Sequence, residues 1–261
     1  MSVKILFFDV DGTIYIPGRP GLTPAVSDAI HAAQRKGIRC YVASGRPFSA
    51  VSQLIVDTGF DGYVLSNGAQ LIMSNEQQVR FLPRKELDAA VALLEAQGIH
   101  YAIQTDSETC VQPGWDDMIA YYAHYSIFED KITRIFEKAD TLDLALKLEF
   151  VTHTEAQRQA VLAFKTVLGT ELHPDGFSME FNDSGCTKAD GVREVISRLG
   201  FAREESMAFG DAINDAAMLR ECGVGVAMAN ASDEVKQYAD AVCPSVFEDG
   251  VAVFLKKQGM I

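Results

Sequence analysis

The stretch Lys4-Ile-Leu-Phe-Phe-Asp9-Val10-Asp11-Gly12-Thr13 places a short apolar run directly before two carboxylates. A continuous apolar run of this length is typical of a strand buried on both faces of a parallel sheet. Val10 turns away in strand geometry, so both carboxylates could face one cavity if the strand continues to Asp11. The stretch therefore predicts a buried strand whose end carries a site.

Strand and helix patterns alternate around this stretch, at both ends of the chain. Such alternation is typical of parallel strands joined by right-handed crossovers. We therefore predict an α/β fold with a doubly wound parallel sheet of Rossmann-like form. The predicted strands are residues 4–9, 38–43, 62–65, 206–210, 224–227 and 240–243, and the predicted helices are residues 24–36, 47–58, 188–199 and 215–222.

The middle of the chain has a different pattern, in which strand-like segments accompany a helix at 84–97 and a long amphipathic helix at 154–168. Antiparallel strands backed by helices indicate a separate α+β unit. We therefore expect a discontinuous core domain at residues 1–82 and 183–261, with an inserted domain at residues 83–182.

The composition excludes several classes of protein. Lys and Arg total 23 against 36 for Asp and Glu, a net charge of −13, so a nucleic-acid or anionic-membrane partner is not expected. The five cysteines include no CxxC pair, and the N-terminus lacks a signal-peptide pattern. We expect a cytoplasmic protein, and its oligomeric state stays open.

Polar residues follow four of the predicted strands. Because ligands bind at the carboxyl ends of strands in open α/β sheets, these residues are expected to converge on one site. The four segments are Asp9 to Thr13, Ser44-Gly45-Arg46, Ser66-Asn67-Gly68 and Gly210-Asp211-Ala-Ile-Asn214-Asp215.

Four of these residues are aspartates, namely Asp9, Asp11, Asp211 and Asp215. Like charges packed closely cannot all stay ionised without a cation. All-oxygen ligands indicate a hard ion, and a site that also takes waters and a substrate phosphate favours Mg²⁺ over Ca²⁺. The position of Gly12 is wrong for an EF-hand loop.

In order along the chain, these motifs resemble the four signatures of haloacid dehalogenase-like phosphatases. Further segments resemble the Cof-type branch of that superfamily, which has a class IIB cap between the second and third signatures. The signatures are Asp9-Val10-Asp11-Gly12-Thr13, Ser44-Gly45-Arg46, Lys188 and Gly210-Asp211-x-x-Asn214-Asp215, and the further segments are Asn67-Gly68, Gly225-Val-Ala-Met-Ala-Asn230-Ala and Asp249-Gly250-Val251.

The resemblance implies a role for each residue. Asp9 would be the nucleophile that forms an aspartyl-phosphate, and Asp11 the general acid and base. Lys188 would supply positive charge in the transition state. Mg²⁺ would be held by Asp9 and Asp211 through carboxylates and by Asp11 through its main-chain oxygen. The implied phosphate-binding residues are Val10, Ser44, Gly45, Lys188 and Asn214, and the supporting residues are Asp215, Asn67 and Arg46.

We therefore predict a phosphoric monoester hydrolase that needs Mg²⁺ and acts on small phosphorylated metabolites, with sugar phosphates the leading class. The inserted cap would close to exclude water and recognise the leaving group. Two alternatives stay open. One is a phosphomutase or phosphotransferase that uses the same intermediate, and the other is a non-catalytic ligand-binding protein of the same fold.

Overall fold

The computed structural model describes residues 2–74, 76–112, 115, 118–119, 122, 132–133, 138–173 and 176–261. The chain divides into two compact units. The first unit contains Met1–Gly45, Ser52–Gln78 and Cys186–Ile261, and the second contains Arg46–Val51 and Val79–Gly185.

The strands and helices are numbered here in chain order, over the described residues. The strands are β1 Ile5–Phe8, β2 Arg39–Ala43, β3 Gly62–Leu65, β4 Gln70–Met73, β5 Glu76–Val79, β6 Tyr101–Gln104, β7 Thr109–Val111, β8 Ile132–Thr133, β9 Lys147–Val151, β10 Leu168–Leu172, β11 Ser178–Asp183, β12 Ser206–Gly210, β13 Val224–Met228 and β14 Ala241–Cys243. The helices are α1 Pro24–Arg35, α2 Gln53–Val56, α3 Arg84–Ala96, α4 Lys138–Asp143, α5 Glu155–Leu162, α6 Lys188–Arg198, α7 Ala216–Glu221, α8 Asp233–Lys236 and α9 Gly250–Lys257. None of them is both long and apolar enough to cross a bilayer.

The first unit is built on an eight-stranded sheet in the order β14-β13-β12-β1-β2-β3-β4-β5. The six strands from β14 to β3 are parallel, whereas β4 is antiparallel to β3. Helices α6 and α7 pack on the face that carries Phe7, and Phe254 of α9 packs edge-on against Phe209 of β12. The predicted doubly wound α/β fold is confirmed, with β1 at the centre of the sheet.

The elements predicted for the core domain differ from the structure in two details. Strand β4, which is antiparallel to β3, and the edge strand β5 were not predicted. The helix expected over residues 47–58 is a 3₁₀ turn at Phe48–Ala50 followed by the single turn α2, because Val51 between them has an extended backbone.

The six-residue segment Arg46–Val51 groups with the second unit, although the sequence placed it in the core domain. Its Ser49 hydroxyl donates to the carbonyl of Thr105 at 2.8 Å, and Ala50 packs against Ala102 and Val111. The residues expected to form the insert, 83–182, lie inside the second unit.

The second unit is built on a six-stranded sheet in the order β10-β11-β9-β6-β7-β8, with every described pair antiparallel except β7 with β8. One face of the sheet carries an apolar core that includes Phe150 and Phe181. The helix expected over 154–168 ends at Leu162, since Leu168 pairs with Asp183 at the start of β10.

Alternate residues of β9 and β11 point to the other face of this sheet, where Lys147, Glu149 and Glu180 are buried charged residues. Lys147 forms an ion pair with Glu180, and the Nε2 atom of His173 lies 3.0 Å from the same carboxylate. Burial alone would raise the pKa of Glu180, but Lys147 and His173 outweigh it and lower that pKa to about 2. Burial likewise opposes protonation of His173, yet its hydrogen bond to Glu180 raises the pKa of the imidazole overall.

The raised pKa of His173 predicts a pH-dependent contribution to stability. The contribution is complete below the ordinary pKa of about 6.5 and disappears as the pH rises through the raised value. We expect the His173→Gln variant to be less stable than the parent by about 1–2 kcal/mol near pH 5, with a smaller difference near pH 8. Urea unfolding at several pH values measures this, and a difference that stays constant with pH would contradict it.

Candidate active site

Asp9 lies at the carboxyl end of β1, where the residue is 5% exposed. Strands β12 and β2 flank β1 in parallel, so the segments after all three strands lie at the same edge of the sheet. The Asp9 N–H donates to the carbonyl of Phe209 at 3.0 Å, which continues the ladder one residue beyond β1. The topology therefore brings Asp9 next to the segment that begins at Asp211.

The sequence analysis allowed for a strand that continues to Asp11, but β1 ends before that residue. The carbonyl of Val10 accepts N–H groups from Thr13, Ile14 and Tyr15 at 2.9–3.2 Å, so the chain turns directly after Asp9. Asp11 forms an isolated bridge with Tyr15 instead. The two carboxylates are thus set apart by a turn, and they are not alternate residues of one strand.

Lys188 is the first residue of α6, and its side chain is 1% exposed. Thr187 caps the helix by accepting the Asp190 N–H, while the Asp190 carboxylate accepts the Thr187 N–H in return. The Lys188 Nζ atom lies 2.6 Å from Asp9 Oδ1 and 2.6 Å from Asp215 Oδ1. The capped start of α6 therefore fixes one ammonium group between two carboxylates.

Burial and charge set the protonation of these groups. Burial would lower the pKa of Lys188, but Asp215 and Asp9 raise it well above its ordinary value, so the ammonium stays charged. Burial and the negative charge of Asp215 raise the pKa of Asp9. The same two causes raise the pKa of Asp211 to about 6. When Asp9 and Asp211 are both ionised, their two negative charges exceed the single positive charge of Lys188.

Oxygen atoms of Asp9, Asp211 and Asp215 all lie within 4.8 Å of one another. This donor set suits a hard divalent ion, and a cation would remove the repulsion that raises the pKa values of Asp9 and Asp211. One oxygen of Asp215 is already held by Lys188, and its other oxygen accepts the N–H groups of Asp211 and Ala212 at 3.0 Å. The residues present therefore fit Mg²⁺, with Asp9 and Asp211 the carboxylates best able to bind it.

Two neighbours of Asp211 were named in the sequence motifs without a role. The Thr13 hydroxyl donates to Asp211 Oδ1 at 3.1 Å, and Asn230 Nδ2 lies 3.2 Å from Asp211 Oδ2. A Cβ atom on Gly12 would lie 2.3 Å from Asp211 Oδ2, and the φ of Gly12 is +79°. Only glycine leaves room for the Asp211 carboxylate at this position.

Two of the predicted phosphate-binding residues, Gly45 and Asn214, lie near each other and near the supporting residue Asn67. A Cβ atom on Gly45 would lie 3.3 Å from Asn67 Oδ1 and 3.8 Å from Asn214 Nδ2. The Ser44 carbonyl accepts the Asn67 N–H at 3.2 Å. Within the described part of the chain, Asn67 Oδ1 and Asn214 Oδ1 are buried without a hydrogen-bond partner. Each of these two oxygens can therefore accept a further hydrogen bond.

The turn that carries Asn67 is held against α6. Ser66, Asn67 and Gly68 have φ values of 48°, 52° and 98°, all in the left-handed region. A Cβ atom on Gly68 would lie 2.5 Å from the Thr187 carbonyl, so the turn packs against the residue before Lys188. Consecutive left-handed residues other than glycine are strained, and such strain is concentrated at functional sites.

Arg46 is the one predicted site residue that groups with the second unit. Its Nη1 atom donates to the carbonyl of Ala50 at 3.0 Å, within the Arg46–Val51 segment. The structure thus gives Arg46 a contact that orders this segment.

Residues 6–255 match the haloacid dehalogenase-like hydrolase family. The chain belongs to this family. YkrA of Bacillus subtilis (strain 168) is 29% identical over 268 residues, which cover both chains completely. The 5-amino-6-(5-phospho-D-ribitylamino)uracil phosphatase YcsE of the same strain is 29% identical over 97% of this chain and 94% of its own.

A solved structure is also similar to this chain along its length. A sugar phosphatase of subclass IIB of the superfamily is 28% identical, with a TM-score of 0.82 over 99% of this chain and all of its own. These comparisons confirm the predicted Cof-type family and the predicted enzyme class, a phosphoric monoester hydrolase.

Proposed function

We propose that this haloacid dehalogenase-like hydrolase is a Mg²⁺-dependent phosphatase of small phosphorylated metabolites, with phosphorylated sugars as the substrate class. The observation that carries the proposal is the contact of one buried ammonium, Lys188, with both Asp9 and Asp215, beside the carboxylate of Asp211. A nucleophile, a fixed cation and a metal-binding carboxylate are the parts that phosphoryl transfer requires.

The reaction has two steps. An oxygen of Asp9 attacks phosphorus, and the bond from phosphorus to the substrate's alkoxide oxygen breaks while Asp11 gives that oxygen a proton. A water molecule then attacks the aspartyl-phosphate as Asp11 takes its proton, which releases inorganic phosphate and restores Asp9. Asp11 thus ends the cycle in the protonation state in which it began.

The fixed positive charge acts in both steps. Lys188 stabilises the oxygen charge that develops around phosphorus, and its position is set before substrate arrives because Asp215 holds it. The hydroxyl of Ser44, the N–H of Gly45 and the amide of Asn214 would orient the phosphate. Mg²⁺, held by Asp9, Asp211 and the main-chain oxygen of Asp11, would offset the repulsion between Asp9 and a dianionic phosphate.

The substrate class rests on the relatives. The subclass IIB neighbour is a sugar phosphatase, and YcsE acts on a phosphorylated ribityl compound, so both organic groups are polyhydroxylated. Sequence similarity over at least 94% of each chain supports the same kind of substrate here.

Phosphate release from a panel of sugar monophosphates tests the proposal. With Mg²⁺ we expect inorganic phosphate from several members of the panel, and with excess EDTA we expect a loss of at least about 10²-fold. Isomerised sugar phosphate without phosphate release would show a phosphomutase instead. If the folded protein neither hydrolyses nor isomerises any member with Mg²⁺, the non-catalytic alternative is favoured.

A further inference from the structure

Asn230, just after β13, connects three separate segments of the first unit. Its Nδ2 atom donates to the Gly12 carbonyl at 2.9 Å and to Asp211 Oδ2 at 3.2 Å. Its Oδ1 atom accepts the Val246 N–H at 3.0 Å. One side-chain amide thus joins the turn after β1, the segment after β12 and the 3₁₀ turn at Val246–Glu248.

Each of the two carboxylate oxygens of Asp211 accepts one hydrogen bond. One donor precedes Asp211 in the chain and the other follows it. Thr13 donates to Oδ1 at 3.1 Å, and Asn230 donates to Oδ2 at 3.2 Å. A carboxylate oxygen has two lone pairs, so each oxygen keeps one for a further ligand. Rotation of the carboxylate about its Cβ–Cγ bond would break both contacts.

We propose that Asn230 is a positioning residue for the divalent cation, acting through Asp211. This inference rests on the proposed function, in which Asp211 binds that cation. Asn230 holds the Asp211 carboxylate in one orientation and fixes the distance from Asp211 to the Gly12 carbonyl. Partners of metal-binding carboxylates act in this way, and their loss weakens metal affinity by about 10- to 100-fold.

A purely structural role would have a different consequence. If Asn230 served only to stabilise the turn at Val246–Glu248, its loss would lower thermal stability and leave cation affinity unchanged. The two roles are therefore separated by measuring cation binding directly, in the absence of substrate.

The experiment titrates Mn²⁺, which shares the oxygen preference of Mg²⁺, into the full chain and follows free Mn²⁺ by electron paramagnetic resonance. We expect Asn230→Ala to raise the Kd for Mn²⁺ by about 10- to 100-fold. The side chain of Asn230 is exposed, so its removal leaves no buried cavity. Asn230→Ser serves as a second variant if the alanine variant does not fold.

Ser245→Ala is the matched control, because Ser245 Oγ accepts the Phe247 N–H at 3.3 Å in the same turn but does not contact Asp211. It should lower the melting temperature and leave the Kd for Mn²⁺ at the parent value. Parent-like Mn²⁺ binding by the Asn230 variants would overturn the inference. If Asp211→Asn also binds like the parent, or the parent binds no Mn²⁺, then the metal site of the proposed function fails as well.

Discussion

Replacing Asp9 with asparagine is expected to lower kcat by at least about 10⁴-fold, the effect typical of removing a nucleophile. An amide cannot form the aspartyl-phosphate at a useful rate. The fold should survive the change, because the pKa of Asp9 is raised and its buried charge is therefore costly to the folded state. Lys188 also keeps Asp215 as a partner in the variant.

Two measurements test the role of Asp9. The first compares phosphate release by the parent, Asp9→Asn and the control Asp28→Asn, which changes an exposed aspartate of α1. The second quenches the parent in acid during turnover and looks by mass spectrometry for phosphate on the peptide that contains residue 9. Parent-like turnover by Asp9→Asn, or a phosphorylated peptide elsewhere in the chain, would contradict the assignment.

The core strands could be predicted from the sequence because burial on both faces leaves a local pattern. The runs at 62–65 and 206–210 have the observed bounds, and the run at 4–9 extends only one residue beyond β1 at each end. The edge strand β5 has no such pattern. Strand β5, Glu-Gln-Gln-Val, is mostly exposed and polar, so nothing in its composition favours a strand over a loop.

Helix ends in the second unit depend on contacts that the sequence does not display. Helical spacing favoured a helix through Leu168, but this residue is the first of β10, whose five residues pair with β11. That pairing, with residues 7 to 15 positions away, outweighs the local preference for helix.

In the candidate site, too, some residues could be predicted from the sequence and some contacts could not. Asp9, Lys188 and Asp211 could be named because each follows a strand or begins a helix in a recognisable motif. The hydrogen bond of Thr13 with Asp211 joins residues 198 positions apart, and that of Asn230 with Gly12 joins residues 218 positions apart. Spacing cannot reveal such pairs, since only the folded sheet brings the segments together.

Lys188 should matter for stability as much as for catalysis. In Lys188→Met, the carboxylates of Asp9 and Asp215 stay buried without their shared cation. Breaking a buried ion pair by removing one partner typically destabilises a protein by about 3–5 kcal/mol. Loss of the fixed positive charge should also lower kcat/KM by about 10²- to 10³-fold. Urea unfolding in EDTA and phosphate release in Mg²⁺ measure the two effects separately.

The double variant Lys188→Met/Asp215→Asn separates the structural role from the catalytic one. It removes one of the two unpaired charges, and asparagine keeps an oxygen that can accept the N–H groups of Asp211 and Ala212. We therefore expect the double variant to be more stable than Lys188→Met and equally inactive, because no ammonium faces the phosphate. Recovery of activity along with stability would mean that Lys188 serves the fold alone. An unchanged unfolding free energy in Lys188→Met would mean that a cation other than Lys188 balances these carboxylates.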